Sequence, residues 1–252
     1  MLKALTARFK QGHRTISYPK GDPPPLCSRF RGRPIIDQTV CRKGCRQCIE
    51  SCPTGAILSE KMTIDLGKCL FCGKCAEACL HGGITFTSEY RMATRKQEDL
   101  LISTMSSYLL AEALEKKLHR LFKRSLRLRQ VSAGGCNACE ADSNVLTTIG
   151  WDISRFGIQF VASPRHADGL LITGPVTQNM RLALEKTYLA VPHPKVVIAV
   201  GSCAISGGPY IDHPETNNGA TGIVPVDLFI PGCPPHPLTI LDGLLRFLGR
   251  LE

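Results

Sequence analysis

Thirteen cysteines stand in 252 residues, and eight of them fall into two runs of nearly equal spacing. The first run reads Cys41-x3-Cys45-x2-Cys48-x3-Cys52, followed by Pro53. The second reads Cys69-x2-Cys72-x2-Cys75-x3-Cys79. Cys45, Cys48 and Cys52 recur 27 residues later as Cys72, Cys75 and Cys79, and Ile57 recurs as Ile84. Cys41 and Cys69 are 28 apart, so the first copy holds one extra residue. Each half offers a cysteine loop, a short helix and a hydrophobic strand. Neither half buries much alone, so metal centres must supply the missing stability.

The spacing selects the metal. Three closely spaced thiolates wrap one corner of a cubane, and a distant fourth ties the two halves together. In bacterial two-cluster chains with the second spacing, the fourth cysteine ligates the other cluster. The expected ligand sets are therefore Cys41, Cys45, Cys48 and Cys79 for one [4Fe–4S] cluster, and Cys69, Cys72, Cys75 and Cys52 for a second. Zinc favours two separated C-x2-C pairs, and these triplets overlap instead. Two details depart from the usual run. The extra residue after Cys41 widens the first loop, and Leu80 stands where a proline usually follows the fourth cysteine.

Cys136, Cys139, Cys203 and Cys233 are scattered across residues 131–252. That region alternates apolar runs at 158–162, 169–173, 195–200 and 223–230 with helical segments at 140–149, 177–188 and 236–248. The alternation predicts an α/β domain with a mostly parallel sheet. Ligands of such sheets sit beyond the carboxyl ends of the strands. Cys203 and Cys233 each follow a strand closely, and Cys136 and Cys139 follow the apolar stretch 126–131 and precede a helix. Spacing alone leaves a third cluster and four structural thiols equally open. Gly134, Gly135, Gly201, Gly207, Gly208 and Gly232 flank these cysteines and favour a cluster, since bare backbone can approach an inorganic group closely. Pro231, Pro234 and Pro235 stiffen the last loop. Three [4Fe–4S] clusters then use twelve cysteines and leave Cys27 without a role.

The organisation reads as four parts: a basic lead at 1–35, a two-cluster α+β domain at 36–90, a connector at 91–130 and the α/β domain at 131–252. Pro23, Pro24 and Pro25 predict an extended lead. The connector is expected to be helical over about 97–124. Leu109, Leu110, Leu114, Leu118, Leu121 and Phe122 lie on one side, and Lys116, Lys117, Arg120, Lys123 and Arg124 on the other.

The net charge of +10 is clustered. Residues 1–35 hold eight Lys/Arg against one acid, and residues 110–130 hold seven against two. This suggests an acidic protein partner or an anionic membrane surface. No nucleic-acid motif accompanies the charge, so no nucleic-acid partner is expected. The sequence shows neither a secretory signal nor a run of membrane-span length. A reducing compartment and a soluble or peripheral chain are expected.

The lead "RTISYPKGDPPP…RFRGRP" and the stretches "LGKCLFCGKCAEAC" and "EYRMATRKQEDL" resemble the two-cluster ferredoxin subunit of formate hydrogenlyase-type membrane hydrogenases. From 131 onward, "GGCNACE", "SPRHAD", "VIAVGSCAISGG" and "IVPVDLFIPGCPP" resemble the small subunit of the same group 4 [NiFe] hydrogenases, a relative of the complex I 20 kDa subunit. The resemblances cover nearly the whole chain apart from the connector, as if two subunits were fused. They imply a flavodoxin-like fold for the second domain and Cys136, Cys139, Cys203 and Cys233 as ligands of a proximal cluster. The complex I relative has adjacent cysteines at the first site. Here Asn137 and Ala138 separate Cys136 from Cys139, which is the hydrogenase spacing.

The function so implied is electron transfer within a membrane-associated [NiFe] hydrogenase, peripheral on the cytoplasmic face. The implied partners are a large subunit that holds the nickel, the membrane arm of the complex, and an electron-donor dehydrogenase or ferredoxin. No nickel-site cysteine pair remains in this chain, so no complete active site is expected in it. A complex I-like quinone oxidoreductase subunit and a stand-alone ferredoxin-like carrier are the rival readings. Arg165, His166 and Asp168 read either as an interface loop near the third cluster or as a salt-bridged loop. Glu140 and Asp142 open a helix, where carboxylates offset its dipole; Glu140 is also a candidate proton relay. His81, His193, His213 and His236 read as loop histidines.

Overall fold

The computed structural model describes residues 2–12, 14–42, 44–59, 62–103, 108–122 and 124–251. The cysteine-dense part builds two small antiparallel sheets around two short helices. Strand β1 (Pro34–Ile36) pairs with β4 (Ile84–Phe86), Ile36 opposite Ile84. Strand β2 (Ile57–Leu58) pairs with β3 (Thr63–Asp65), which also pairs with β5 (Leu101–Ile102). Helices α2 (Gln47–Glu50) and α3 (Lys74–Ala78) follow the equivalent cysteines of the two halves and pack together. The sequence repeat is thus a structural repeat, with Ile57 and Ile84 buried at equivalent places.

The second domain is a five-stranded parallel sheet of β6 (Leu126–Ser132), β7 (Ile158–Phe160), β8 (Gly169–Thr173), β9 (Val196–Val200) and β10 (Leu228–Ile230). Their order across the sheet is β7-β6-β8-β9-β10. Numbered from the domain's own start this is 2-1-3-4-5, the flavodoxin-like order. Strands β8 and β9 are buried at every residue. Their predominantly apolar sequences are what burial on both sheet faces demands. Each fully buried Val or Ile there contributes about 1.5–3 kcal/mol. Helices α5 (Ala138–Val145), α6 (Gln178–Ala190), α7 (Ser202–Ser206) and α8 (Pro237–Phe247) complete the domain. All eleven residues of α8 are buried, as its mostly apolar circumference requires.

Three expectations need correction. The lead is not extended throughout: α1 (Leu2–Gln11) is helical, because the proline triplet acts only on its own neighbourhood further along. The expected strand over 223–230 shrinks to Leu228–Ile230. Pro225 has no N–H for the ladder, and Ile223 and Val224 instead donate to Ala220 O in a turn. The connector is not one helix: among its described residues only α4 (Lys116–Phe122) is α-helical. Ahead of it, Ala111 N–H donates to Ala93 O at 2.7 Å and Leu114 N–H to Phe247 O at 3.0 Å. These bonds strap the segment to the domain and take the donors a helix would use. Residues 104–107 and Lys123 of that expected helix lie outside the described residues.

The two cysteine-bearing parts share a core. Ala199, Ala204, Ile205 and Phe229 of the parallel-sheet domain pack with Leu66, Cys69, Cys75, Met92 and Leu100. Thr94 adds an antiparallel bridge to Phe229 on the edge strand β10. The lead clamps on from the other side. Arg155 donates to Ile16 O and Tyr18 O, and the Tyr18 hydroxyl donates to Asp242 at 2.8 Å.

Candidate functional site

Cys41, Cys45, Cys48 and Cys79 line one cavity, closed by Met62, Leu80 and Ile84. Cys52, Cys69, Cys72 and Cys75 line a second, closed by Ala56, Ile57, Ile64 and Phe86. Each cavity therefore combines three cysteines from one half with the last cysteine of the other. The repeat extends to single hydrogen bonds. Ala56 N–H donates to Cys52 Sγ at 3.2 Å, and 27 residues later Gly83 N–H donates to Cys79 Sγ at 3.2 Å. Phe71 N–H donates to Cys69 Sγ at 3.3 Å. Such N–H donors stabilise a thiolate over a thiol.

Burial pushes the thiols the other way. It raises Cys69 to about 12 and Cys75 to about 11, with nearby thiolates adding to the effect. Cys48 is raised by burial and then by Cys79. A thiol must lose its proton to bind iron, so loading releases protons and weakens as the pH falls. Among the described residues no three His, Cys, Asp or Glu side chains converge on a single ion. A four-cornered iron core, by contrast, spreads its thiolates apart.

The other four cysteines gather where the sheet directs them. β6, β9 and β10 end at Ser132, Val200 and Ile230, and Cys136, Cys203 and Cys233 follow each end by three or four residues. Cys139 lies in the first turn of α5. Burial raises the Cys139 thiol, and Cys203, Glu140, Cys233 and Cys136 raise it further, so the four stand together. Burial likewise pushes Cys203 up to about 12. Cys139 and Cys203 are buried, whereas Cys136 and Cys233 are exposed, so the group opens to one side.

Two glycines keep side chains out of this group. A Cβ on Gly201 would lie 2.5 Å from Cys139 Sγ, and one on Gly208 would lie 2.9 Å from Cys203 Sγ. Gly201 has φ 89° and ψ 154°, a region essentially reserved for glycine. Replacing Gly201 by alanine is expected to cost about 1–3 kcal/mol in backbone strain and to displace the Cys139 sulfur. Iron analysis of the purified variant checks this: about four irons per chain are expected to be lost, with the other two centres retained.

The second and third groups are neighbours: Cys233 lines one cavity with Leu70 and Phe71, which lie between Cys69 and Cys72. Cys233 is raised by burial, then by Cys136 and then by Cys72 of the second cavity. The Ser202 hydroxyl donates to Cys69 O at 2.6 Å, and the Ser206 hydroxyl donates to Gly67 O at 2.7 Å. Helix α7, which carries Cys203, is thereby pinned to the loop that carries Cys69. Sequence reasoning missed both serines. Their only signal was their place on either side of Cys203 in "GSCAIS".

The remaining candidates fall elsewhere. The loop of Arg165, His166 and Asp168 precedes β8, so it lies at the sheet edge opposite the cysteines. The interface-loop reading is corrected accordingly. Asp168 accepts from Arg127 N at 2.7 Å and so ties the start of β6 to the start of β8. Glu140 is buried and accepts from Ser132 Oγ and Thr173 Oγ1, each at 2.6 Å. Its carboxylate thus anchors α5 to the ends of β6 and β8. His236 accepts from Leu238 N at the start of α8, and His213 accepts from Glu215 N. Cys27 is exposed and lines neither cysteine cavity.

Comparison with known proteins gives two family matches. Residues 33–84 match a 4Fe-4S dicluster domain, and residues 136–247 match the NADH ubiquinone oxidoreductase 20 Kd subunit. A probable membrane-bound hydrogenase subunit of Pyrococcus furiosus is 43% identical over 141 residues, 55% of this chain and 84% of the relative. Formate hydrogenlyase subunit 7 of Escherichia coli is 43% identical over 140 residues, and the chain spans 55% of its length. An NADH-quinone oxidoreductase subunit of Clostridium beijerinckii is 46% identical over 102 residues, 40% of this chain and 60% of the relative. The chain is an iron–sulfur protein of the NADH ubiquinone oxidoreductase 20 Kd subunit family, which takes in membrane-bound hydrogenase subunits, and it carries a 4Fe-4S dicluster domain in the same polypeptide.

Proposed function

We propose that the chain is the electron-transfer subunit of a membrane-associated [NiFe] hydrogenase of the formate hydrogenlyase type. It would hold three [4Fe–4S] clusters and connect an electron donor to a large subunit's nickel site. Cys41, Cys45, Cys48 and Cys79 would hold the first cluster, Cys52, Cys69, Cys72 and Cys75 the second, and Cys136, Cys139, Cys203 and Cys233 the third. Bound there, the clusters supply one-electron carriers whose potentials follow burial and hydrogen bonds to sulfur.

The observation that carries the reading is the continuity of the three cysteine groups. The first two exchange a cysteine each, and the second adjoins the third through Ser202 on Cys69 and through the cavity that Leu70 and Phe71 share with Cys233. Apolar residues line much of the first two cavities. The N–H donors at Cys52, Cys69 and Cys79 offset negative charge on their sulfurs, which favours the reduced state. The exposed side of the third group, at Cys136 and Cys233, is where a large subunit would cover it. No described helix is long and apolar enough to cross a membrane, so membrane association would be peripheral.

The quinone oxidoreductase reading is supported by the family match and by the similarity to NADH-quinone oxidoreductase chains such as that of Clostridium beijerinckii. Purification of the native complex through this chain separates the two. The hydrogenase reading expects a co-purifying large subunit with about one nickel and hydrogen evolution from a reduced viologen. A nickel-free large subunit with quinone reductase activity would replace it with the second reading. A monomer without partners would overturn both.

A further inference from the structure

Helix α1 has no buried residue. Leu2, Leu5 and Phe9 are 83%, 60% and 86% exposed. At 3.6 residues per turn these three fall within about 60° of one another. Lys3 and Lys10 lie on one flank of this stripe and Arg8 on the other, and the helix contains no acid. The chain beyond it is fixed to the domain: Ile16 N–H donates to Gly150 O, and Arg155 donates to Ile16 O. The helix is therefore held at its root while its own apolar stripe faces solvent.

A narrow apolar stripe flanked on both sides by cations suits one environment. The stripe sits among acyl chains, and Lys and Arg reach along their stems to the phosphates. An acid-free helix also matches the negative surface potential of a bilayer rich in anionic lipid. We propose that α1 is an interfacial anchor that lies in the surface of an anionic membrane. The anchor deepens the peripheral-association reading above and fails separately from it, because the cluster relay is read by iron content and not by vesicle binding.

The test is co-sedimentation of the full, iron-loaded chain with two kinds of vesicle. One is pure phosphatidylcholine, and the other is phosphatidylcholine mixed with phosphatidylglycerol. The chain is expected to sediment with the mixed vesicles and much less with the neutral ones. The double variant Leu5→Asp and Phe9→Asp is expected to lose more than about tenfold in partitioning. The triple variant Lys3→Gln, Arg8→Gln and Lys10→Gln is expected to lose about a hundredfold, from about 1 kcal/mol per cation. All altered side chains are exposed, so iron content is expected to stay at the parent level. Sedimentation unaffected by both variants overturns the anchor. So does a parent chain that stays in solution with both vesicles, which assigns the stripe to a protein groove instead.

Discussion

Replacing Cys139 by alanine is expected to leave about eight irons per chain instead of about twelve, and two reducible centres instead of three. Cys139 is one of the two buried cysteines of its group, set in the first turn of α5 and faced by the bare backbone of Gly201. Burial raises its thiol first, and Cys203, Glu140, Cys233 and Cys136 raise it further. The change removes one sulfur and fills no space, and the parallel sheet is expected to persist. The two remaining centres should keep their spectra, because their cysteines line separate cavities. Cys27→Ala is the matched control, with iron unchanged. In the assembled complex, Cys139→Ala is expected to abolish hydrogen evolution driven by electrons entering at the dicluster domain.

Asp242→Ala is expected to cost about 3–5 kcal/mol. Asp242 is completely buried in α8 and accepts from Arg246 Nε at 3.0 Å and from the Tyr18 hydroxyl at 2.8 Å. Removing the carboxylate takes away the buried acceptor that Arg246 Nε and the Tyr18 hydroxyl share. Burial already holds the Asp242 carboxyl above its ordinary range, which shows how little solvent compensation exists there. Tyr18→Phe removes one hydrogen bond and leaves the ion pair, so it is expected to cost only about 0.5–1.5 kcal/mol. The single tryptophan, Trp151, packs edge-on to His236 at the start of α8 and reports this region directly. Urea midpoints read from its fluorescence give the ranking: parent, then Tyr18→Phe, then Asp242→Ala.

The cysteine arrangement was legible because spacing carries it. A triplet spaced two residues apart can close on one centre, and the 27-residue repeat matches the way the halves exchange their last cysteines between the two cavities. The parallel sheet was legible from unbroken apolar runs such as Val196–Val200, which only double-sided burial explains. Residues 223–230 misled because the apolar run contains Pro225, which ends the ladder early.

The connector failed for a different reason. Leucines near helical spacing can also line a strap, and only the partners of Ala111 and Leu114 show where their donors go. The lead failed because three prolines were allowed to speak for residues that precede them. Leu2, Leu5 and Phe9 already carried the helical period. The opposite-edge position of Asp168 follows from its place before β8 rather than after it, a distinction that needs strand direction. Ser202 and Ser206 were beyond reach, since their partners lie more than 130 residues away.

These contacts also give the fusion a physical meaning. Residues 67–69 and α7 belong to different parts of the sequence, yet two serine hydroxyls and a shared apolar core hold them in one body. The separation between the second and third cysteine groups is thereby fixed within the chain.

One polypeptide is proposed to hold three clusters in a continuous series. Redox-titrated EPR of the anaerobically purified full chain, with iron and acid-labile sulfide measured on the same sample, tests it most directly. About twelve irons and three reducible centres, with magnetic broadening between neighbours, are predicted. About eight irons and two centres, with Cys136, Cys139, Cys203 and Cys233 alkylated as free thiols, would contradict it.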